Sequence, residues 1–159
     1  VFGKNPKINI FTPDIGMARN FADDYARGIE EQNRNLERII SIMGRPMKSV
    51  EDPMSPMDFV DEADDKQFAE HKWRGNFSYD VIANRCGGTV WVGLNKIDYL
   101  KSVGGKCDFF FQFSDGLYKA VYEEEFHTYP TQYHARNRAD KRNDGSVVIN
   151  IPVSKLVLV

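Results

Sequence analysis

Between residues 12 and 44 the apolar residues Ile15, Ala18, Phe21, Ala22, Tyr25, Ile29, Leu36, Ile39, Ile40 and Met43 recur at helical spacing. Thr12 is a capping residue, Pro13 suits a first helical position, and Asp14 suits the positive end of a helix dipole. Gly44 and Pro46 supply the stop. The pattern predicts a long helix over 12–44, weakened at Gly16 and Gly28 and able to break in two there. Unbroken, it would span about 45 Å at ~1.5 Å per residue. That length points to part of the helix packing on a partner chain, such as a second copy. Residues 4–11 before it read as a short extended arm.

Pro46, Pro53 and Pro56 mark residues 45–57 as a linker. Ser55-Pro56-Met57-Asp58 has the form of a capping box and predicts a second helix start. From Glu51 to Glu70 there are eight acids and one lysine, Lys66, which reads as a solvated helix face or as an acidic docking surface. A further helix is expected from Ser78 to Cys86, stopped by Gly87-Gly88. Beyond it the pattern turns to strands at 89–93, 106–113 and 117–126, then a polar, helix-compatible stretch at 133–142, then an apolar strand at 146–151 ended by Pro152. From residue 76 the expected order is helix, three strands, helix, strand. The fold class is α+β or α/β: a helical N-terminal half, then a mixed β-sheet of about four strands flanked by helices. The expected organisation is a single domain over 1–159, with the helix at 12–44, the linker at 45–57 and an α/β core at 58–159.

Residues 107–126 read as a hairpin, because Asp115-Gly116 stands between two alternating runs. A two-residue turn there pairs Phe113 with Tyr118. One face then carries Phe109, Phe111, Phe113, Tyr118, Ala120, Tyr122 and Phe126, and must be core. The other carries Asp108, Phe110, Gln112, Lys119, Val121, Glu123 and Glu125, with Asp108 opposite Glu123 and Glu125 diagonal to it. Like charges opposed on a sheet are destabilising. Either a bound cation such as Mg²⁺ or Mn²⁺ relieves them, or the strand end is open to water with lysines such as Lys106 nearby.

Composition leaves this picture standing. Hydrophobic residues at 42% and charged residues at 28% of a 159-residue chain are those of an ordinary folded domain. A net charge of -2 does not announce a nucleic-acid or membrane binder. No apolar run approaches the ~20 residues of a membrane span, and the N-terminus has neither a Met nor a signal-peptide pattern, which suggests processing or trimming. Cys86 and Cys107 suit a reducing compartment, and the expected location is the cytoplasm, or a virion or its host's cytoplasm, rather than secretion. Those cysteines with His71, His127 and His134 show no zinc spacing, and no phosphate loop or nucleophile elbow is present.

Asp108, a hairpin and then Glu123-Glu124-Glu125, with the element order over residues 76–155, resembles the PD-(D/E)xK nuclease superfamily. The resemblance implies metal-dependent phosphodiester hydrolysis with Mg²⁺ or Mn²⁺. Asp108 and Glu123 would hold the metal, and Glu125 would take the position usually held by lysine and act on water. Cys107 stands where proline precedes the acid in that family. Glu70 and Asp80 are the candidates for an additional upstream acid. Arg136, Arg138, Lys141 and Arg142, with His134, form a basic segment able to contact nucleic-acid phosphates or to lie on a solvated helix face. The alternative is a non-enzymatic interaction or assembly protein, of viral or phage type, that docks through its long helix and acidic segment. An acidic mimic of nucleic acid is a third reading.

Overall fold

Leu36, Ile39, Ile40 and Met43 form an inner stripe of α1 (Phe21–Met43) in the computed structural model, which describes residues 21–85, 87–134 and 146–159. The arm at 4–11, the helix start at Thr12 and Pro13, Cys86, and the basic segment with Arg136, Arg138, Lys141 and Arg142 lie outside the described residues. Within them α1 is one unbroken helix, closed at its C-terminus by the Gly44 amide donating to the Ile40 carbonyl at 2.9 Å. No described helix is long and apolar enough to cross a membrane.

The expectation of a helical N-terminal half does not hold. Three strands follow α1: β1 (Met47–Ser49), β2 (Phe59–Asp61) and β3 (Gln67–Arg74). No helix starts at Ser55; the chain turns there and enters β2 through Asp58. The acids of this segment misdirected the reading. A solvated helix would expose them all, whereas Asp58, Asp61 and Glu70 are buried among strand partners.

After β3 come α2 (Tyr79–Arg85), β4 (Thr89–Gly93), α3 (Leu94–Val103), β5 (Lys106–Phe113), β6 (Gly116–Val121), β7 (Thr131–His134), β8 (Ser146–Pro152) and β9 (Val157–Leu158). β1, β2 and β3 form an antiparallel meander, β3 pairs in parallel with β5, and β6 and β9 complete a six-stranded mixed sheet. A parallel neighbour demands a crossover, and here it carries α2, β4 and α3. β4, β8 and β7 form a separate three-stranded antiparallel sheet.

α3 was not expected. Leu94, Ile97, Leu100 and Val103 recur at helical spacing, and Gly104 closes the helix in the left-handed conformation at φ 66°. Its presence interrupts the order expected from residue 76. From residue 76 the observed order is helix, strand, helix, then strands, and the three strands that follow α1 are joined to β5 by a crossover that itself contains α2, β4 and α3. The stretch from Tyr133 opens in β7, because Thr131–His134 pairs with Ile149–Ser146 of β8.

The large sheet is covered on both faces. α1 packs Leu36, Ile39, Ile40, Ile42 and Met43 on Met47, Phe59, Ala69, Phe110 and Leu117. The other face presents Phe68, Cys107, Phe109, Phe111, Phe113 and Ala120 to Ile82 of α2, Ile97 and Leu100 of α3, and the small sheet.

The hairpin forms with its aromatic face inward, in a register two residues from the expected one. Ser114 and Asp115 make the turn, so Phe113 pairs with Gly116 and Phe111 with Tyr118. A slip of two preserves the faces, since side chains alternate with period two. Asp115 is used elsewhere: its Oδ1 accepts the Tyr79 amide at 2.9 Å at the start of α2. Gly116, at φ 156°, sits where a Cβ would come 3.0 Å from Leu158 Cδ1, so β9 closes against bare backbone.

Candidate active site

The two-residue change of register separates the three carboxylates expected on the hairpin. Asp108 lies across from Val121 on one side and Ala69 on the other, and its Oδ2 is 3.7 Å from Lys119 Nζ. Burial raises its carboxyl above the ordinary range, against the opposing pull of Lys119 and Arg45. β6 ends at Val121, and Glu123 precedes a 3₁₀ turn over Glu124–Thr128 rather than extending the strand. Glu123 and Glu125 are both half-exposed and face Lys155, which is ion-paired to Glu125 and lies 3.9 Å from Glu123 Oε2. The hydrogen bond from Lys155 holds Glu125 below the ordinary carboxylate range. Among the described residues no group of three or more His, Cys, Asp or Glu side chains is arranged to hold a metal ion. Of the two upstream acids, Asp80 is exposed on α2 with Asn84, and Glu70 is fully buried.

Glu70 belongs to a different constellation. β2 and β3 pair Phe59 with Ala69, and one step further along the ladder sets Asp58 across from Glu70. The Asp58 amide donates to Glu70 Oε2 at 2.6 Å. Phe59 and Ala69 face α1, so the alternation of the strands turns Asp58 and Glu70 to the opposite face. Lys72, two residues on from Glu70, returns to that face and puts its Nζ 3.9 Å from Glu70 Oε1. Lys96 reaches in from the first turn of α3 and is ion-paired to the same oxygen, and its ammonium also donates to the Pro56 carbonyl.

The two carboxylates have almost no solvent contact, 2% for Asp58 and 0% for Glu70, while the side chains of Lys72 and Lys96 keep 18% and 13% of theirs. The amines thus form the outer, partly wetted layer over the acids. Opposed buried carboxylates are costly unless countercharged. Among the described residues the amines of Lys72 and Lys96 stand against the two acids. Burial acts to lower the Lys96 ammonium's pKa, but Glu70 and Asp58 together outweigh it and hold it above its ordinary value. Cys107 sits beside the group on β5; burial, then Glu70, pushes its thiol well up, so it stays protonated and adds an uncharged wall.

Chemically, the arrangement offers two carboxylates on adjacent strands, a backbone carbonyl and two amines converging from β3 and α3. It suits binding a hard cation through oxygen and an anion through nitrogen. Sequence reasoning singled out Glu70 only as an alternative and missed Asp58, Lys72 and Lys96. A signal was present: Glu70-His71-Lys72 places an acid and a lysine on one face of a strand, following an acid at Asp58. It was absorbed into the count of acids between Glu51 and Glu70.

Comparison with protein-family models, with curated proteins and with solved structures gave no match.

Proposed function

We propose that this protein is a divalent-metal-dependent phosphodiester hydrolase acting on nucleic acid, with its site at Asp58, Glu70 and Lys72. The observation that carries the reading is Asp58 directly across from Glu70, with Lys72 on the same face. An acid followed by acid-x-lysine is the pattern from which the PD-(D/E)xK nucleases take their name, and it falls here on Asp58 and Glu70-His71-Lys72. Pro56 stands two residues before Asp58 rather than beside it. The order α1, three strands, then a crossover with two helices to the parallel strand β5 supports the reading, with β4 as an added strand in the crossover.

The donor set fits a hard cation: two carboxylates and the Pro56 carbonyl are all oxygen, and an ammonium already sits among them. Asp58 and Glu70 would hold Mg²⁺ or Mn²⁺, which supplies positive charge to a phosphodiester and acidifies water. The protein's own contribution is positional. The Asp58 amide fixes the Glu70 carboxylate, and the rigid β2–β3 pairing sets the spacing of the two acids. Lys72 directs a cationic amine toward the same place, where it orients the attacking water or neutralises charge building on phosphate. The basic residues Arg136, Arg138, Lys141 and Arg142 are suited to contact the nucleic-acid backbone in this reading.

The test is Mn²⁺-dependent cleavage of plasmid and branched DNA by the wild type and by Asp58→Asn, Glu70→Gln, Lys72→Met and Glu123→Ala. Loss of cleavage in the first three, with Glu123→Ala active, supports the site. Cleavage lost only in Glu123→Ala would return the chemistry to the hairpin. No cleavage by the wild type on either substrate would remove the hydrolase reading.

A further inference from the structure

The lysine that the acid-x-lysine pattern accounts for is Lys72. Lys96 is a second one, delivered from a different element, and it makes the more intimate contact: it is ion-paired to Glu70, donates to the Pro56 carbonyl and feels the charge of Asp58. An ammonium held between a Glu70 carboxylate oxygen and the Pro56 carbonyl oxygen, within the field of Asp58, has the surroundings of a bound cation. These are the oxygens that a divalent ion would require, and both cannot be satisfied by the same lone pairs. The acids beneath it are sealed from solvent, with 2% and 0% exposure, so an ion reaches them only if something above moves. The side chain of Lys96 retains 13% exposure, and its stem of four methylenes gives the ammonium other rotamers on an anchored α3.

We propose that Lys96 is a resident cation that keeps the Asp58–Glu70 site folded and neutral without metal, and that it gives up this place when a divalent ion binds. The inference rests on the metal-site reading given above. In this arrangement the metal displaces one charge with two. The site's affinity is set partly by the cost of evicting Lys96, and the evicted amine moves toward solvent, where an incoming phosphodiester would meet it.

Two measurements on the full chain test this. The first is Mn²⁺ affinity by calorimetry for the wild type, Lys96→Met and Lys96→Gln; removing the competitor is expected to tighten binding by about tenfold or more, as linkage requires of a competing occupant. Equal or weaker affinity in both variants overturns the proposal. The second needs no variant and covers the case in which neither folds without its countercharge. Reductive methylation of the wild type, read by mass spectrometry, is expected to modify Lys96 several-fold faster with saturating Mn²⁺ than without it. An unchanged rate in a protein that binds Mn²⁺ overturns the eviction while leaving the metal site intact. If Mn²⁺ binds neither the wild type nor the variants, the metal-site reading itself fails and the proposal falls with it.

Discussion

Asp58, the residue before β2, comes level with Glu70 of β3 one step beyond the paired Phe59 and Ala69, and its backbone amide donates to the Glu70 carboxylate at 2.6 Å. Two acids opposed in this way would push a bare hairpin apart. Among the described residues Lys72 and Lys96 supply the ammonium groups that countercharge them. Removing one member is therefore worse than removing a pair. Glu70→Leu strands the Lys96 ammonium and is expected to cost about 3–5 kcal/mol, while Glu70→Leu with Lys96→Met recovers most of it. Urea denaturation of the two single mutants and the double mutant gives the coupling directly, and additive losses would show that Lys96 is not the countercharge.

The face of β5 that carries Asp108 is also a floor for α1. Phe110 is fully buried there, between Leu117 and the helix stripe containing Ile39. Phe110→Ala is expected to lower stability by about 3–5 kcal/mol. It should also speed amide hydrogen exchange selectively in the C-terminal half of α1, because that half loses a large apolar contact. Exchange that rose equally across the sheet would mean that α1 is not anchored by this residue.

How much of this was legible in sequence follows from the range of the physics involved. The helix stop at Gly44, the strand at Thr89–Gly93 and the inward aromatic face of the hairpin rest on local turn chemistry and periodicity, and each is found. The register differs by two because Asp115-Gly116 reads as the turn pair, while the turn is Ser114-Asp115, with the Asp115 side chain accepting the Tyr79 amide 36 residues away and Gly116 already paired with Phe113. The Glu51–Glu70 segment failed for a related reason. Charge alone suggests solvent, and nothing nearby in the chain reveals that Lys96 arrives from α3 to neutralise Glu70. The candidate site was hidden by the same distance: its acids lie just before β2 and on β3, its second amine on the crossover.

The hairpin register has its own test. A Cβ at Gly116 meets Leu158 Cδ1 at 3.0 Å. Gly116→Ala is expected to destabilise by about 1–2 kcal/mol through backbone strain and crowding. In a Leu158→Ala background the crowding disappears and the penalty should shrink. An equal penalty in both backgrounds would assign the whole effect to the backbone.

Two aspartates on the α1 side are expected to respond oppositely to pH. Asp61 is held below its ordinary value of 3.8, first by the Ala63 amide at 2.7 Å and then by Arg45 at 3.1 Å. Its stabilising contribution is present above that ordinary value and is lost as pH falls through the lower folded value. Asp108 is raised above 3.8 by burial, so its ionisation costs stability as pH rises through that window. Relative to wild type, Asp61→Asn should therefore lose ground as pH rises from the acid limb, and Asp108→Asn should gain it. Denaturation midpoints between about pH 2.5 and 7 read both slopes, and parallel curves would contradict the assigned environments.

The crossover that carries Lys96 also sets an order of assembly. Asp58 and Glu70 are only 12 residues apart and meet through a local hairpin, but the parallel ladder from Gln67 to Lys106 must close over 39. Short loops close early and long ones late. During synthesis the two acids therefore emerge and are brought within reach of each other before their countercharge on α3 exists. The β2–β3 hairpin is then a poor nucleus, since local connectivity favours it and its own charges oppose it. The more natural starting point is the aromatic hairpin of β5 and β6, which carries no such conflict. The candidate site would be among the last parts to consolidate, so a chain interrupted before residue 96 would hold the acids with Lys72 but without the closer amine of Lys96.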